Sequence, residues 1–399
     1  MTKNKRPSAA KAAPSPEDQH EVLTEKLAAL AVELSQRLHR LPSAEILKEK
    51  TRELQKTIRK CVSQKKDDVL HEALEHALDD GADAYRLLKE SIEEAAGTIV
   101  IRRDDGRELE VNAFVIPMFV HTTGGLHVEQ CFQDEEAFDL LRKSVQEAQL
   151  ESRDATVVLV SHAYHPDEID RIRYGELHEM VREAFDSMTR KKTSATAIGR
   201  SMSGWPENHF APDDQAVELR FLLGFALKTM DDPFYRVPEN EAAADRYFEK
   251  RAERFRHWAQ QVAPWVKRCL ATDGGNIDID FFYQDLFHGG KERGRAEYET
   301  LQMMSDLQHR LDLHGSPAEN TRAVIGPADD ASVVRVNLYA ADDALLASAD
   351  RPLNPGADVQ TEIEDVCDAL QTIGVKAMMQ AKEFDSDGNP VSARPYANR

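Results

Sequence analysis

At Gly97 the hydrophobic period of the chain switches from 3.6 to 2, so a helical stretch ends there and strands begin. Ahead of the switch, Leu23, Leu27, Leu30, Leu34, Leu38 and Leu41 recur at spacings of four and three, one leucine stripe along one helix face. Pro42 stops this helix, because it has no N–H and restricts the residue before it. Ser43 can then cap a second helix carrying Leu47, Leu54, Ile58 and Cys61. A third helical stretch runs from Asp68 to about Ala95, interrupted near Gly81. The first two helices are expected to fold back as a hairpin, since each stripe must be buried against something.

Beyond Gly97, Thr98–Arg103, an Asp104-Asp105-Gly106 turn and Glu108–Val120 read as a β-hairpin. A short strand is expected at Leu126–Phe132, then a helix capped by Asp134, a β-branched strand at Thr156–Ser161 and a helix from Asp167 to about Arg190. Strands are expected again at Val217–Thr229, Ile277–Phe287, Val333–Ala340, Ala344–Ala349 and Val375–Phe384. Helices at about 240–271 (with a kink at Pro264), 291–313 and 357–373 separate them.

The fold class is therefore α+β: a basic N-terminal helical arm, then two or three strand-strand-helix-strand units with helices on one sheet face. The expected organisation is a disordered tail over 1–16, a helical arm over 17–96, units at 97–195, 214–314 and 331–386, and a flexible C-terminus over 387–399. The Gly- and Pro-containing stretches 191–213 and 314–330 serve as junctions. The shared order of elements raises an internal repeat, although the residues themselves do not visibly repeat. No GxGxxG follows the first strand, against a dinucleotide fold.

Charge is divided as sharply as period. The net charge is −20, yet residues 1–66 hold 15 Lys and Arg against 8 Asp and Glu, a net of +7. The other 333 residues carry −27. An acidic body repels phosphate backbones, which leaves the basic arm as the place for any nucleic acid. The longest apolar runs, Phe221–Leu227 and Phe114–Val120, are strand-length and too short for a bilayer, and no secretory signal is visible. Four scattered cysteines without a CxxC pair fit a reducing, cytoplasmic setting.

Within the arm, Lys48, Lys50, Arg52, Lys56, Arg59, Lys60, Lys65 and Lys66 crowd together against Glu49 and Glu53. Such a face can dock on an acidic partner protein or a second copy of the chain, or track a nucleic-acid backbone; it can also be merely solvated. Elsewhere, His162, His165 and His178 sit among Tyr164, Asp167, Glu168 and Glu179, side chains able to ligate zinc, manganese or iron. A polar strand-to-helix connection, with Asp167 favouring the helix dipole, explains the same residues. The His288–Gly294 segment can hold a phosphate at a helix start with help from Lys291 or Arg293, or be a plain turn.

Asp278 and Asp280 alternate as in any half-buried strand, though paired aspartates can hold Mg²⁺. Asp385-Ser386-Asp387-Gly388-Asn389 begins like a calcium loop but lacks its closing Glu, so a hairpin turn is expected. Tyr247, Phe248, Phe255, Trp258 and Trp265 read as a core-facing stripe. No catalytic or cofactor signature decides for an enzyme. The reading leans to a binding or scaffold protein that assembles through its arm. The alternatives are a metal- or phosphate-dependent enzyme with a site at 161–179 or 288–294, and a nucleic-acid-associated protein acting through 48–66.

Overall fold

The structure, a computed structural model, describes residues 16–38, 44–122, 132, 134–190, 216–232, 234–270, 277–329 and 331–396. The expected tail, the Pro42 stop with its Ser43 cap, most of the strand at Leu126–Phe132 and the junction over 191–213 lie outside the described residues. The chain forms two compact units, 1–96 and 97–399. Among the described residues no helix is long and apolar enough to cross a membrane.

The first unit holds α1 (Pro16–Leu38), α2 (Ala44–Ser63), α3 (Asp67–Asp80) and α4 (Ala82–Gly97, its last residue opening the next unit). The leucine stripe of α1 is buried at Leu27, Leu30 and Leu34, and α2 buries Leu54, Ile58, Cys61 and Val62. Lys26 pairs with Glu53 at 2.8 Å and Lys50 with Glu33 at 3.3 Å, so α1 and α2 run antiparallel, the expected hairpin. α3 lies along α1, with His20 Nε2 2.7 Å from Glu72 Oε2. Gly81, at φ +144°, separates α3 from α4.

The second unit is built on a six-stranded sheet of β1 (Thr98–Arg102), β2 (Glu108–Thr122), β3 (Thr156–Tyr164), β4 (Ala216–Thr229), β5 (Ile277–Phe281) and β6 (Asp285–Leu286). β2 and β4 pair antiparallel from Leu109↔Thr229 to Thr122↔Ala216, with β1 and β3 outside them. The strands expected as a first and a second unit thus share one sheet, and 217–287 supplies a single long strand before its helix. The reason lies in length: β2 and β4 are too long and apolar to leave either edge uncovered.

Helices cover both faces of this sheet, not one as expected. α5 (Glu135–Glu147) and α8 (Glu241–Leu270) pack on Phe114, Ile116, Met118 and Val120. α9 (Phe287–Leu313) packs on the opposite face at Val115 and Pro117, and α7 (Tyr174–Arg190) also lies against β2. β2 buries side chains of both parities, which requires cover on both sides. Asp134 caps α5 as expected, accepting from the Ala137 amide at 2.9 Å. The helix expected from Asp167 breaks into α6 (Pro166–Asp170) and α7, because Glu176 folds back to accept from the Arg173 amide at 3.2 Å and starts a new helix. α8 runs through Pro264 as one helix; Phe255 and Trp258 are in the core, whereas Phe248 is exposed.

A second sheet has the order β13–β10–β7–β8–β9, comprising β7 (Arg322–Ala328), β8 (Val333–Tyr339), β9 (Leu345–Pro352), β10 (Ala377–Gln380) and β13 (Arg394–Pro395). α10 (Val359–Thr372) and the end of α9 cover one face only, as expected. β10 joins β7 in parallel and the other pairs are antiparallel. The central strand, β7, lies inside the stretch expected to be a junction. Its Gly326-Pro327 reads as a breaker, but a Cβ on Gly326 would stand 2.9 Å from the Ala381 carbonyl oxygen. The glycine admits a neighbouring backbone rather than a turn. β11 (Glu383–Phe384) and β12 (Pro390–Val391) close on the expected turn, where Asp385 accepts from the Asp387 and Asn389 amides at 3.0 and 2.8 Å.

Candidate functional site

The structure brings together the two segments expected to hold an enzyme site. β3 carries a bulge between Leu159 and Ala163, and His162 sits in it. His162 Nε2 lies 3.1 Å from Glu168 Oε2, an oxygen that also accepts from the His165 amide at 2.8 Å. His165 Nδ1 accepts from the Asp167 amide at 3.2 Å and caps α6. Asp170, ending α6, pairs with Lys291 at 3.3 Å and with Arg295 of α9.

These contacts consume the groups that made the segments suggestive. Burial pushes the Glu168 carboxyl up, but the hydrogen bonds from His162 and the His165 amide, with the charges of His162 and Arg220, hold it below its ordinary value. Burial lowers His165, aided by the Arg220 charge, which keeps Nδ1 free to accept. Among the described residues no three His, Cys, Asp or Glu side chains are placed to hold a metal ion, so His162, His165 and His178 form no common ligand set.

The expected 277–287 strand ends early, and His288–Gly294 is not a turn but the opening of α9. Its glycines serve packing: a Cβ on Gly290 would stand 2.6 Å from Val115 Cγ2, and one on Gly294 2.8 Å from Pro117 Cβ. Helix and sheet approach there more closely than any side chain permits. Asp278 and Asp280 alternate with Ile277 and Ile279 on β5, and Asp280 Oδ2 lies 3.1 Å from His121 Nε2.

A second constellation, absent from the sequence reading, draws ionisable groups from five parts of the chain. α5 ends with Gln149 at φ +54° and the Leu150 amide donating to the Val145 carbonyl, which turns the next residue, Glu151, inward. Pro117 lacks a ladder donor, and the strand opposite splits into β5 and β6 with Tyr283 and Gln284 looped between them. Gln284 and Tyr235 both donate to Glu151 Oε1, the latter at 2.7 Å. Lys228 Nζ, near the end of β4, lies 4.0 Å from both Glu151 Oε2 and Glu110 Oε1 and 4.1 Å from the centre of the Tyr235 ring. The Arg251 guanidinium of α8 stands 4.5–5.6 Å from the ring centres of Phe234, Tyr283, Tyr235 and Tyr247.

Glu151 is 1% exposed and Lys228 5%. Burial raises the Glu151 carboxyl to about 7 against the pull of Lys228 and Tyr235, and burial lowers Lys228 against the pull of Glu151. A carboxyl so placed exchanges its proton near neutral pH, the property of an acid–base group. Enclosed as it is, its direct effect is to tie α5, β4, α8 and the β5–β6 loop together. No periodicity or motif marks such a set, because its members meet only in three dimensions.

The basic residues of α2 separate into two groups. Lys50 is held by Glu33. Lys48, Arg52, Lys56, Arg59 and Lys60 are exposed and have no acidic partner among the described residues. At a rise of 1.5 Å per residue they form a stripe about 18 Å long, opposite the buried Leu54, Ile58, Cys61 and Val62. The acidity first assigned beyond residue 66 begins inside the same unit, since 67–96 hold 10 Asp and Glu against 2 Lys and Arg.

No curated protein and no solved structure matches the chain. Residues 16–342 match a family model, and the chain belongs to that family, protein of unknown function (DUF2863).

Proposed function

We propose that this is a cytosolic binding or scaffold protein that assembles through the basic face of α2 onto an acidic protein surface, first of all that of a second copy. The observation that carries the reading is the exposed, unpaired stripe of Lys48, Arg52, Lys56, Arg59 and Lys60 on a helix whose other face is fully buried. Five like charges without internal partners repel one another, and an acidic surface relieves that repulsion. The chain offers such a surface on every copy: −8 over 67–96 and −19 over 97–399. Three buried free thiols, Cys61, Cys269 and Cys367, suit the cytosol.

The test is sedimentation velocity of the intact chain across a salt series, beside a Lys48→Glu/Arg52→Glu/Lys56→Glu variant. The wild type should associate at low salt and dissociate as salt rises, while the variant stays monomeric throughout. A wild type that is monomeric at all salts, or a variant that associates unchanged, overturns the proposal. So does duplex DNA binding that the variant loses while its self-association persists, which would assign the stripe to phosphate.

A further inference from the structure

α3 follows α2 after a short turn and is its reverse in charge. Over Asp67–Asp80 it contains no Lys or Arg. Val69, Leu70, Ala73, Leu74 and Ala77 are buried, and Asp68, Glu72, Glu75 and Asp79 stand exposed on the opposite side. Spacings of four, three and four set these acids in one line about 17 Å long, close to the length of the basic stripe of α2. His20 meets Glu72 at 2.7 Å but leaves it half exposed, and His71 and His76 flank the line. Like charges at these spacings repel one another, so the line, like the stripe, gains from an opposite charge laid along it.

The two patterns also match where each departs from a single sign. Glu45 and Glu49 stand exposed at the N-terminal end of the α2 stripe, and Lys65 and Lys66 precede the acids of α3. Side by side in the same direction, at an offset of about twenty residues, the helices oppose Lys48 with Asp68, Arg52 with Glu72, Lys56 with Glu75 and Arg59 with Asp79. The same offset brings Glu45 toward Lys65 in the turn ahead of α3. In the opposite direction the four pairs can form, but Glu45 runs past the end of α3. Within one copy, none of Lys48, Arg52, Lys56, Arg59 and Lys60 is paired with α3. Of the other described helices of comparable length only α10 lacks Lys and Arg, and its exposed acids Glu364, Asp365 and Asp368 cover little more than one turn.

We infer that the α2 stripe docks on the acidic line of α3 in a second copy, the two helices running in the same direction. The inference rests on the assembly reading above and names the surface that receives the stripe. Exposed ion pairs are individually weak and screened by salt, so the contact forms at low salt and is lost as salt rises.

Sedimentation velocity of the intact chain at low salt tests it with two charge reversals, Lys56→Glu/Arg59→Glu and Glu75→Lys/Asp79→Lys, each checked for folding by circular dichroism. Each variant alone should associate at least about tenfold more weakly than the wild type, and an equimolar mixture of the two should associate again. General repulsion predicts otherwise, because Glu75→Lys/Asp79→Lys reduces the net charge of −20 and would tighten association on that ground alone. If that variant does not fold, Glu75→Gln/Asp79→Asn takes its place and should weaken association with the wild-type chain. Association unchanged in the α3 variant but lost in the α2 variant overturns this inference and leaves the basic stripe with another acidic surface. A mixture that stays monomeric overturns it too, whereas association unchanged in the α2 variant overturns the assembly reading itself.

Discussion

Residues 1–96 and residues 97–399 are stabilised by different means. The helical unit buries leucine stripes and keeps its charge outside except at Asp67, which opens α3; the other buried polar side chains among its described residues are Thr24, Ser35 and Thr57. The sheet-based unit takes charge into its core: Glu151, Glu168, Arg220, Lys228 and Arg351 are all at most 5% exposed. Amphipathic helices meet along continuous stripes and need no ionic register. Long strands covered on both faces leave their ends and loops to be fixed by something directional, and hydrogen-bonded ion networks supply that direction. The contrast teaches where each unit keeps its charge: almost wholly at the surface in the first, and partly in the core, for internal positioning, in the second.

The sharpest way to break this contrast is to remove a buried charge. Glu151→Ala leaves Lys228 buried beside Tyr235 without its main counter-charge, which should destabilise the second unit by about 3 kcal/mol or more. Urea unfolding measures it, and a loss under about 1 kcal/mol would show that Lys228 is effectively solvated and ties nothing together. Close packing predicts the next effect. Gly290→Ala should cost about 1–3 kcal/mol, because its Cβ would stand 2.6 Å from Val115 Cγ2. Gly289→Ala, whose nearest neighbour would be Asp285 at 3.7 Å, should be neutral or slightly stabilising. Equal melting temperatures for the two would remove the packing explanation of the glycines.

Titration sharpens the comparison further. Glu151 is raised from 4.5 to about 7 in the folded chain, so the folded state holds the proton more tightly than the unfolded one. Its contribution to stability is complete below about pH 4.5 and is lost as pH rises through 7, a change on the order of 1 kcal/mol or more. Glu151→Gln should lack that decline when unfolding free energies are compared between pH 5 and pH 8, both chosen to bracket roughly the window. Parallel curves for the two proteins would contradict it. The smallest effects belong to the helical unit. Lys50→Ala, losing the Glu33 pair, should cost about 0.5 kcal/mol, and Lys48→Ala nothing measurable by thermal melting. For association the order should reverse, since only Lys48 belongs to the unpaired stripe.

Much of the architecture is legible locally. The leucine spacing of α1, the Asp104-Asp105-Gly106 turn between β1 and β2 and the Asp134 cap of α5 each depend on neighbours within a few residues. The candidate sites were legible only as residue types. His162 and Lys291 are visible as side chains able to do chemistry, but Glu168 and Asp170 occupy them, the first from six residues away and the second from well over a hundred. β7 was masked by Gly326-Pro327, whose purpose appears only when Ala381 is seen against it.

The sequence by itself determined the helical first unit, the α+β character of the rest and the concentration of positive charge on α2, because period, capping and composition act over short distances. Only the tertiary structure decided that the strands of 98–164 and 216–286 share one sheet, that Glu151, Lys228, Tyr235, Arg251 and Gln284 converge, and which basic residues of α2 remain unpaired. Those outcomes depend on strand pairing and burial between segments distant in the chain. No local pattern records which of two equally apolar strands will lie beside the other.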